Sequence, residues 1–134
     1  MHNHYRLSYF SKRATCPAPE IDRILSSSKR NNTQNKLTGI LLYDDKSFLQ
    51  LLEGDHNDVA KCFLRLAADP RHKEIDVIFA MPTQIRLFAG WELCALDVSD
   101  KRLDLLKIWS RLKRQDKTHQ HGAIERLFLE AKPK

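Results

Sequence analysis

The run Phe48-Leu49-Gln50-Leu51-Leu52-Glu53-Gly54 constrains this chain more than any other stretch. Alternation along an extended strand puts Phe48, Gln50 and Leu52 on one face and Leu49 and Leu51 on the other. Both faces are mostly apolar, so the segment reads as a central strand covered on both sides. Gln50 is then an amide inside a core. Leaving such a group unpaired costs about 1–3 kcal/mol, so Gln50 requires a partner. Taken alone, a structural hydrogen bond to a neighbouring strand end or loop explains it. The rest of the chain shows what else it could meet.

Tyr5 to Ser11 alternates as a first strand, with Tyr5, Leu7 and Tyr9 on one face and Ser8 and Phe10 on the other. Pro17-Ala18-Pro19-Glu20 opens a helix whose Ile21, Ile24 and Leu25 follow helical spacing. Ser28, Asn31 and Asn32 continue the same stripe, so the core side of this helix turns polar toward its end. A C-terminal cap accounts for one asparagine, but less well for two beside a serine. Leu37 to Tyr43 is a second strand, and Asp44 to Ser47 a hairpin turn into the Gln50 strand. Asp55 caps a second helix with Val59, Cys62, Phe63 and Leu66 on its apolar face, and Asp69-Pro70 ends it. Ile75 to Met81 and Trp91 to Val98 are the fourth and fifth strands. Helices over 101–114 and 119–131 follow, with a linker at Gln115 to Gln120.

The order β-α-β-β-α-β-β predicts an α+β, ferredoxin-like sheet, with two helices on one face and a C-terminal helical cap on the other. The first and third strands are expected side by side and parallel at the centre. The two main helices are expected to run the same way, so that their C-terminal ends converge. Tyr9, Gln50, Ser28, Asn31, Asn32 and Arg65 would then meet between the sheet and the helices, with Asp69, Arg71 and His72 at one helix end. So many polar groups in a small core must be paired or solvated. Two readings stay open. One is a buried network with water. The other is a flat polar ligand held by amides, with Ile24, Leu25, Val59 and Phe63 as apolar walls. Neither a GxGxxG turn nor a P-loop occurs.

With 134 residues the chain suits one domain and a small appendage. No apolar run approaches the roughly 20 residues that cross a bilayer, and the N-terminus lacks an apolar signal region; the expected location is the cytoplasm, without membrane contact. The three cysteines, Cys16, Cys62 and Cys94, have no CxxC spacing, which argues against a disulfide or a cysteine zinc site. The net charge of +6 lies entirely in residues 101–134, with ten Lys and Arg against four Asp and Glu. Such a segment can attract nucleic acid, anionic lipid or an acidic protein. More often such a segment is only a solvated helical face.

Arg6-Leu7-Ser8-Tyr9, Arg30-Asn31-Asn32, Leu37-Thr38-Gly39-Ile40-Leu41, the Phe48 to Gly54 run and Asp69-Pro70-Arg71-His72 together resemble the BLUF domain, a blue-light sensor using FAD, over about residues 5–98. The resemblance implies a flavin ring between the two helices, with Asn31 and Asn32 on its polar edge and Arg65 and Asp69 nearby. Ile24 and Ser28 would also line it. Gln50 would bridge Tyr9 and the ring. In the family, the excited flavin draws an electron and a proton from the tyrosine through the glutamine. Recombination leaves the glutamine rearranged and the absorption red-shifted. An amide suits this role because it carries a donor and an acceptor. No net reaction occurs, so the implied protein is a switch and not an enzyme.

The family often has Trp-Ser-Met on the fifth strand, where this chain has Trp91-Glu92-Leu93. Leucine packs much as methionine does, so the departure bears on signal output and lit-state lifetime more than on flavin binding. Trp91, Leu93 and Ser28 are candidate modulators. Residues 1–98 read as the flavin-binding domain and 99–134 as a two-helix extension. With no catalytic domain attached, the expected output is to a separate protein, from a stand-alone homo-oligomeric sensor. The extension is expected to cover the second sheet face through Phe10, Leu49 and Leu51, with Trp109 and Phe128 as docking residues, and to move when Gln50 switches.

The competing reading is a ferredoxin-like module that binds nucleic acid or flavin without photochemistry. Base stacking needs exposed aromatics on the central strands, and these read Leu49-Gln50-Leu51. Nucleic-acid contact through the basic segment is the lesser alternative. An acylphosphatase-like anion loop would need a glycine-rich turn at Lys12-Arg13, which is absent.

Overall fold

The structure is a computed structural model that describes residues 4–13, 37–70, 72–90, 94–101 and 103–132. The expected first helix, with Ile24, Ser28, Asn31 and Asn32, lies outside the described residues, as do Arg71, Trp91 and Leu93. Five strands form one sheet: β1 (His4–Arg13), β2 (Thr38–Tyr43), β3 (Ser47–Asp55), β4 (His72–Thr83) and β5 (Cys94–Asp97), in the order β4-β1-β3-β2-β5. Helix α1 (His56–Ala68) follows β3, and α2 (Leu105–Leu112) and α3 (Lys117–Ala131) follow β5. This is the ferredoxin-like order with β5 added in parallel beside β2.

The central pair is β1 and β3, as expected, but it is antiparallel, not parallel. The short turn at Asp44 to Lys46 makes β2 and β3 an antiparallel hairpin. Since β3 inserts between β1 and β2, and is antiparallel to both, those two strands run parallel without touching. The parallel relation is therefore between β1 and β2, which the inserted β3 separates. Tyr9 stands directly opposite Gln50, and Arg6 opposite Glu53.

Every residue of β3 from Ser47 to Gly54 is buried, which explains why its sequence is apolar on both faces. The first face packs Leu7, Tyr9 and Leu52 against Val59 and Cys62 of α1. Asp55 caps α1 by accepting from the Asn57 N–H at 2.9 Å, and the helix ends at Asp69. The opposite face packs Phe10, Ile40, Leu42, Leu49 and Leu51 against Leu105, Trp109, Ile124 and Phe128. The C-terminal helices therefore cover the second sheet face, as the sequence implies. Trp109 and Phe128 are docking residues onto that sheet, buried to 5% and 0% exposure. Trp109 also donates its indole N–H to Asp76 of β4 at 2.7 Å.

Several boundaries differ from the expectation, three of them with a clear cause. The helix expected over 101–114 is a 3-10 turn at Ser99–Lys101 followed by α2. Asp104 accepts from the Lys107 N–H at 3.1 Å, and this cap starts the helix later. The expected linker shortens because Asp116 caps α3 through the His119 N–H at 2.8 Å. A run of polar residues there is helix surface, not linker. Strand β4 is longer than Ile75 to Met81, since an edge strand tolerates polar residues and Pro82. Its pairing with β1 shifts register between Ser8 and Tyr9 and again between Phe10 and Lys12. The β4 ladder is thus irregular on both sides of Tyr9.

One glycine on the Gln50 side of the sheet has no substitute. Gly39 lies opposite Leu52, and a Cβ there would collide with the Leu51 carbonyl oxygen.

Candidate functional site

Tyr9 and Gln50 form a cross-strand pair on the face that α1 covers. The Tyr9 hydroxyl donates to Gln50 Oε1 at 2.6 Å. Both residues are buried, at 1% and 3% exposure, so the bond is shielded from competing water. The partner that the sequence demands for Gln50 is therefore a tyrosine. Because Oε1 accepts from Tyr9, the other end of the amide presents N–H donors. Among the described residues they make no hydrogen bond. A donor in this position fits a polar acceptor on a bound ring.

Burial raises the Tyr9 phenol far above the ordinary tyrosine range, and the nearby Cys62 thiol and Asp69 carboxylate add to the effect. A phenol that resists ionisation when folded makes the unfolded state lose protons first as pH rises. Stability should therefore fall above about pH 10, the ordinary tyrosine value. An alkaline titration followed at 295 nm should leave one phenol silent until the fold melts. Ionisation of all three tyrosines in a still-folded protein would contradict this assignment.

Around the pair, Phe63 and His72 meet the Tyr9 ring edge-on, with centroids 6.2 and 5.9 Å away. His72 also lies 4.8 Å from the Phe48 ring, and its Nδ1 is 2.7 Å from the Ser11 hydroxyl. Arg13 sits over Phe48 at 5.6 Å. Arg65 is in the last turn of α1 and Asp69 is its C-cap, which puts both at the Tyr9 end of the helix. Burial raises the Cys62 thiol, while the Arg65 guanidinium pulls it down and bonds to it. Of the residues singled out in the sequence, the structure brings together Tyr9, Gln50, Arg65 and Asp69. The contact between Ser11 and His72 was not legible beforehand, because it depends on the β1–β4 register.

The opposite face holds a network that sequence reasoning missed. Glu53 is fully buried. Its carboxylate accepts from Arg6 Nε at 2.9 Å, from the Leu87 N–H at 2.9 Å and from the Phe88 N–H at 2.8 Å. Arg6 also donates to Glu125 of α3 at 2.6 Å and to the Ile85 carbonyl at 3.0 Å. Glu125 in turn meets His121 Nε2 at 3.0 Å, and His121 stacks on Phe79 at 4.0 Å. One charged cluster thus ties both central strands, the 85–88 loop and α3. The available signal was an opposite-charge pair in two otherwise apolar strands. Between the two faces, the Ser8 hydroxyl donates to the Gln50 backbone carbonyl at 2.9 Å.

The family model described as "Sensors of blue-light using FAD" matches residues 4–94. Photoactivated adenylate cyclase subunit beta of Euglena gracilis is 36% identical over 90 residues, 65% of this chain but 10% of that protein. The blue light- and temperature-regulated antirepressor BluF of Escherichia coli (strain K12) is 34% identical over 87 residues, 63% of this chain and 22% of that protein. The chain therefore spans only a small part of these curated relatives. The dark-state structure of BlrB, a BLUF protein, superposes with a TM-score of 0.77 at 27% identity, over 97% of this chain and 98% of that one. No helix among the described residues is long and apolar enough to cross a membrane. The match over most of the sheet and over the Tyr9–Gln50 pair leads to one conclusion: the chain belongs to the BLUF family of flavin-based blue-light sensors.

Proposed function

We propose that this chain is a non-catalytic, cytoplasmic photoreceptor that holds FAD non-covalently, switches through Tyr9 and Gln50, and signals to a partner protein. The observation that carries the reading is the buried 2.6 Å bond from Tyr9 to Gln50 Oε1, with the amide N–H end left for a ligand. Asn31 and Asn32 are the proposed amide contacts to the ring, with Ile24 and Ser28 on the same helical stripe. Arg65 and Asp69 would complete the site from α1. Trp91, Leu93 and Ser28 are proposed modulators. Residues 1–98 would form the sensor and 99–134 the output extension of a homo-oligomer.

Bound FAD supplies visible absorption and, once excited, a strong electron acceptor. The protein's part follows from the pair. A neutral phenol is the electron donor, and losing an electron makes its O–H strongly acidic. The proton then has one short path, along the bond to Gln50 Oε1. When electron and proton return to Tyr9, Gln50 can settle with its donor and acceptor ends exchanged. Tyr9 and Gln50 are unchanged in composition, and only the hydrogen bonds differ. Gln50 is tied through its backbone carbonyl to the Ser8 hydroxyl, on the face that carries α2 and α3. That link supports a route from the pair to the helical cap.

The visible spectrum of the purified protein tests this reading. A yellow protein whose absorption shifts slightly and reversibly to the red under blue light is expected. A colourless protein that FAD does not reconstitute would end the proposal.

A further inference from the structure

The inner faces of α2 and α3 bury Leu105, Trp109, Ile124 and Phe128 against the sheet. Their outer sides leave an open trough of about 640 Å³ between the two helices. Its floor is apolar, built on Ile108 and Leu112 of α2 and on Ala123 and Leu127 of α3. Its rim is mainly basic. Lys107 and Arg111 stand one turn apart on α2, with Arg126 across from them on α3. Among the described residues none of these three cations is in an ion pair. Two acids also reach the rim, Asp104 and Glu130. Asp104 is engaged in capping α2 but keeps its charge, so three cations face two carboxylates and the rim carries a net charge of +1.

We infer that this trough is a docking groove for an amphipathic helix of a partner protein, apolar on one face and lined by Asp or Glu on its flanks. An open trough between two helices accepts the apolar stripe of a third. The basic rim selects acidic flanks and speeds encounter. Charge also argues against a second copy as occupant. Residues 101–134 carry ten Lys and Arg against four Asp and Glu, so two such surfaces repel. The inference deepens the signalling reading above and rests on it for its biological meaning.

The test runs in the dark on the full chain, so a failed groove and a failed photoreceptor are separate results. The probe is a fluorescein-labelled peptide of about four helical turns, with leucine at helical spacing and glutamate on both flanks. Its control carries lysine in place of every glutamate. Anisotropy should give saturable binding of the acidic peptide, with the basic control weaker by at least about tenfold. Arg111→Glu with Arg126→Glu should weaken the acidic peptide by a similar factor, and Ile108→Asp should abolish binding. Both altered proteins should keep the wild-type circular dichroism. Equal binding of both peptides, or of neither, overturns the inference. So does a duplex DNA that binds through Arg111 and Arg126 when the peptide does not. A homodimer that Leu127→Lys dissociates would assign the groove to a second copy and overturn it as well.

Discussion

Gln50→Leu is expected to abolish the light-induced red shift while leaving the protein yellow. Gln50 sits at 3% exposure opposite Tyr9, and its carbonyl oxygen is the acceptor that the phenol reaches, at 2.6 Å. Leucine fills similar space but has neither donor nor acceptor. The proton on Tyr9 then has no path, and no amide remains to rearrange. The loss should therefore be complete rather than graded. Tyr9→Phe should give the same silent spectrum from the other side, since the ring packing stays and only the hydroxyl is lost. Each change leaves one buried polar group unpaired and should cost about 1–3 kcal/mol of stability. Urea unfolding separates that cost from the photochemical loss. A full red shift in Gln50→Leu would remove Gln50 from the switch.

Glu53→Ala should be the most destabilising single change on the cap side of the sheet. Its fully buried carboxylate serves Arg6 and two backbone N–H groups. Removing it leaves the buried Arg6 guanidinium to Glu125 and the Ile85 carbonyl alone, with its Nε unpaired beside two unpaired backbone donors. Breaking a buried pair from one side costs about 3–5 kcal/mol, a large share of the roughly 5–15 kcal/mol that a domain has. Glu53→Gln should recover only part of this, because its amide turns a donor toward groups that are all donors. Arg6→Met combined with Glu53→Leu should recover more, since it removes the buried Arg6–Glu53 pair together and leaves Glu125 its contact with His121. The 85–88 loop and α3 should loosen with the single change, which hydrogen exchange would report at Leu87, Phe88 and Glu125. A Glu53→Ala protein within about 1 kcal/mol of wild type would mean that this cluster does not hold the cap.

Much of the fold was legible from the chain because its signals are local. Full burial of β3 follows from an apolar run on both strand faces. The caps at Asp55 and the hairpin at Asp44 follow from side chains that satisfy nearby backbone groups. The apolar stripes of α2 and α3 showed that a second sheet face had to exist for them, and they cover it. Strand direction was misjudged because adjacency and direction are different questions. Only the hairpin inserted between β1 and β2 settles the second.

For the site, the residue types already set the chemistry available. They supplied a lone amide in a buried strand, a tyrosine on a neighbouring strand, and a basic C-terminal segment. They required that Gln50 be paired, because a buried amide cannot be left alone. Only the tertiary structure decided which partner it has and which end of the amide is used, since those depend on the β1–β3 register. The same holds for Glu53, whose three donors come from β1 and from a loop 34 and 35 residues along the chain. Pairings of this kind join groups far apart in sequence, and a residue's neighbours in the chain carry no energy that would announce them.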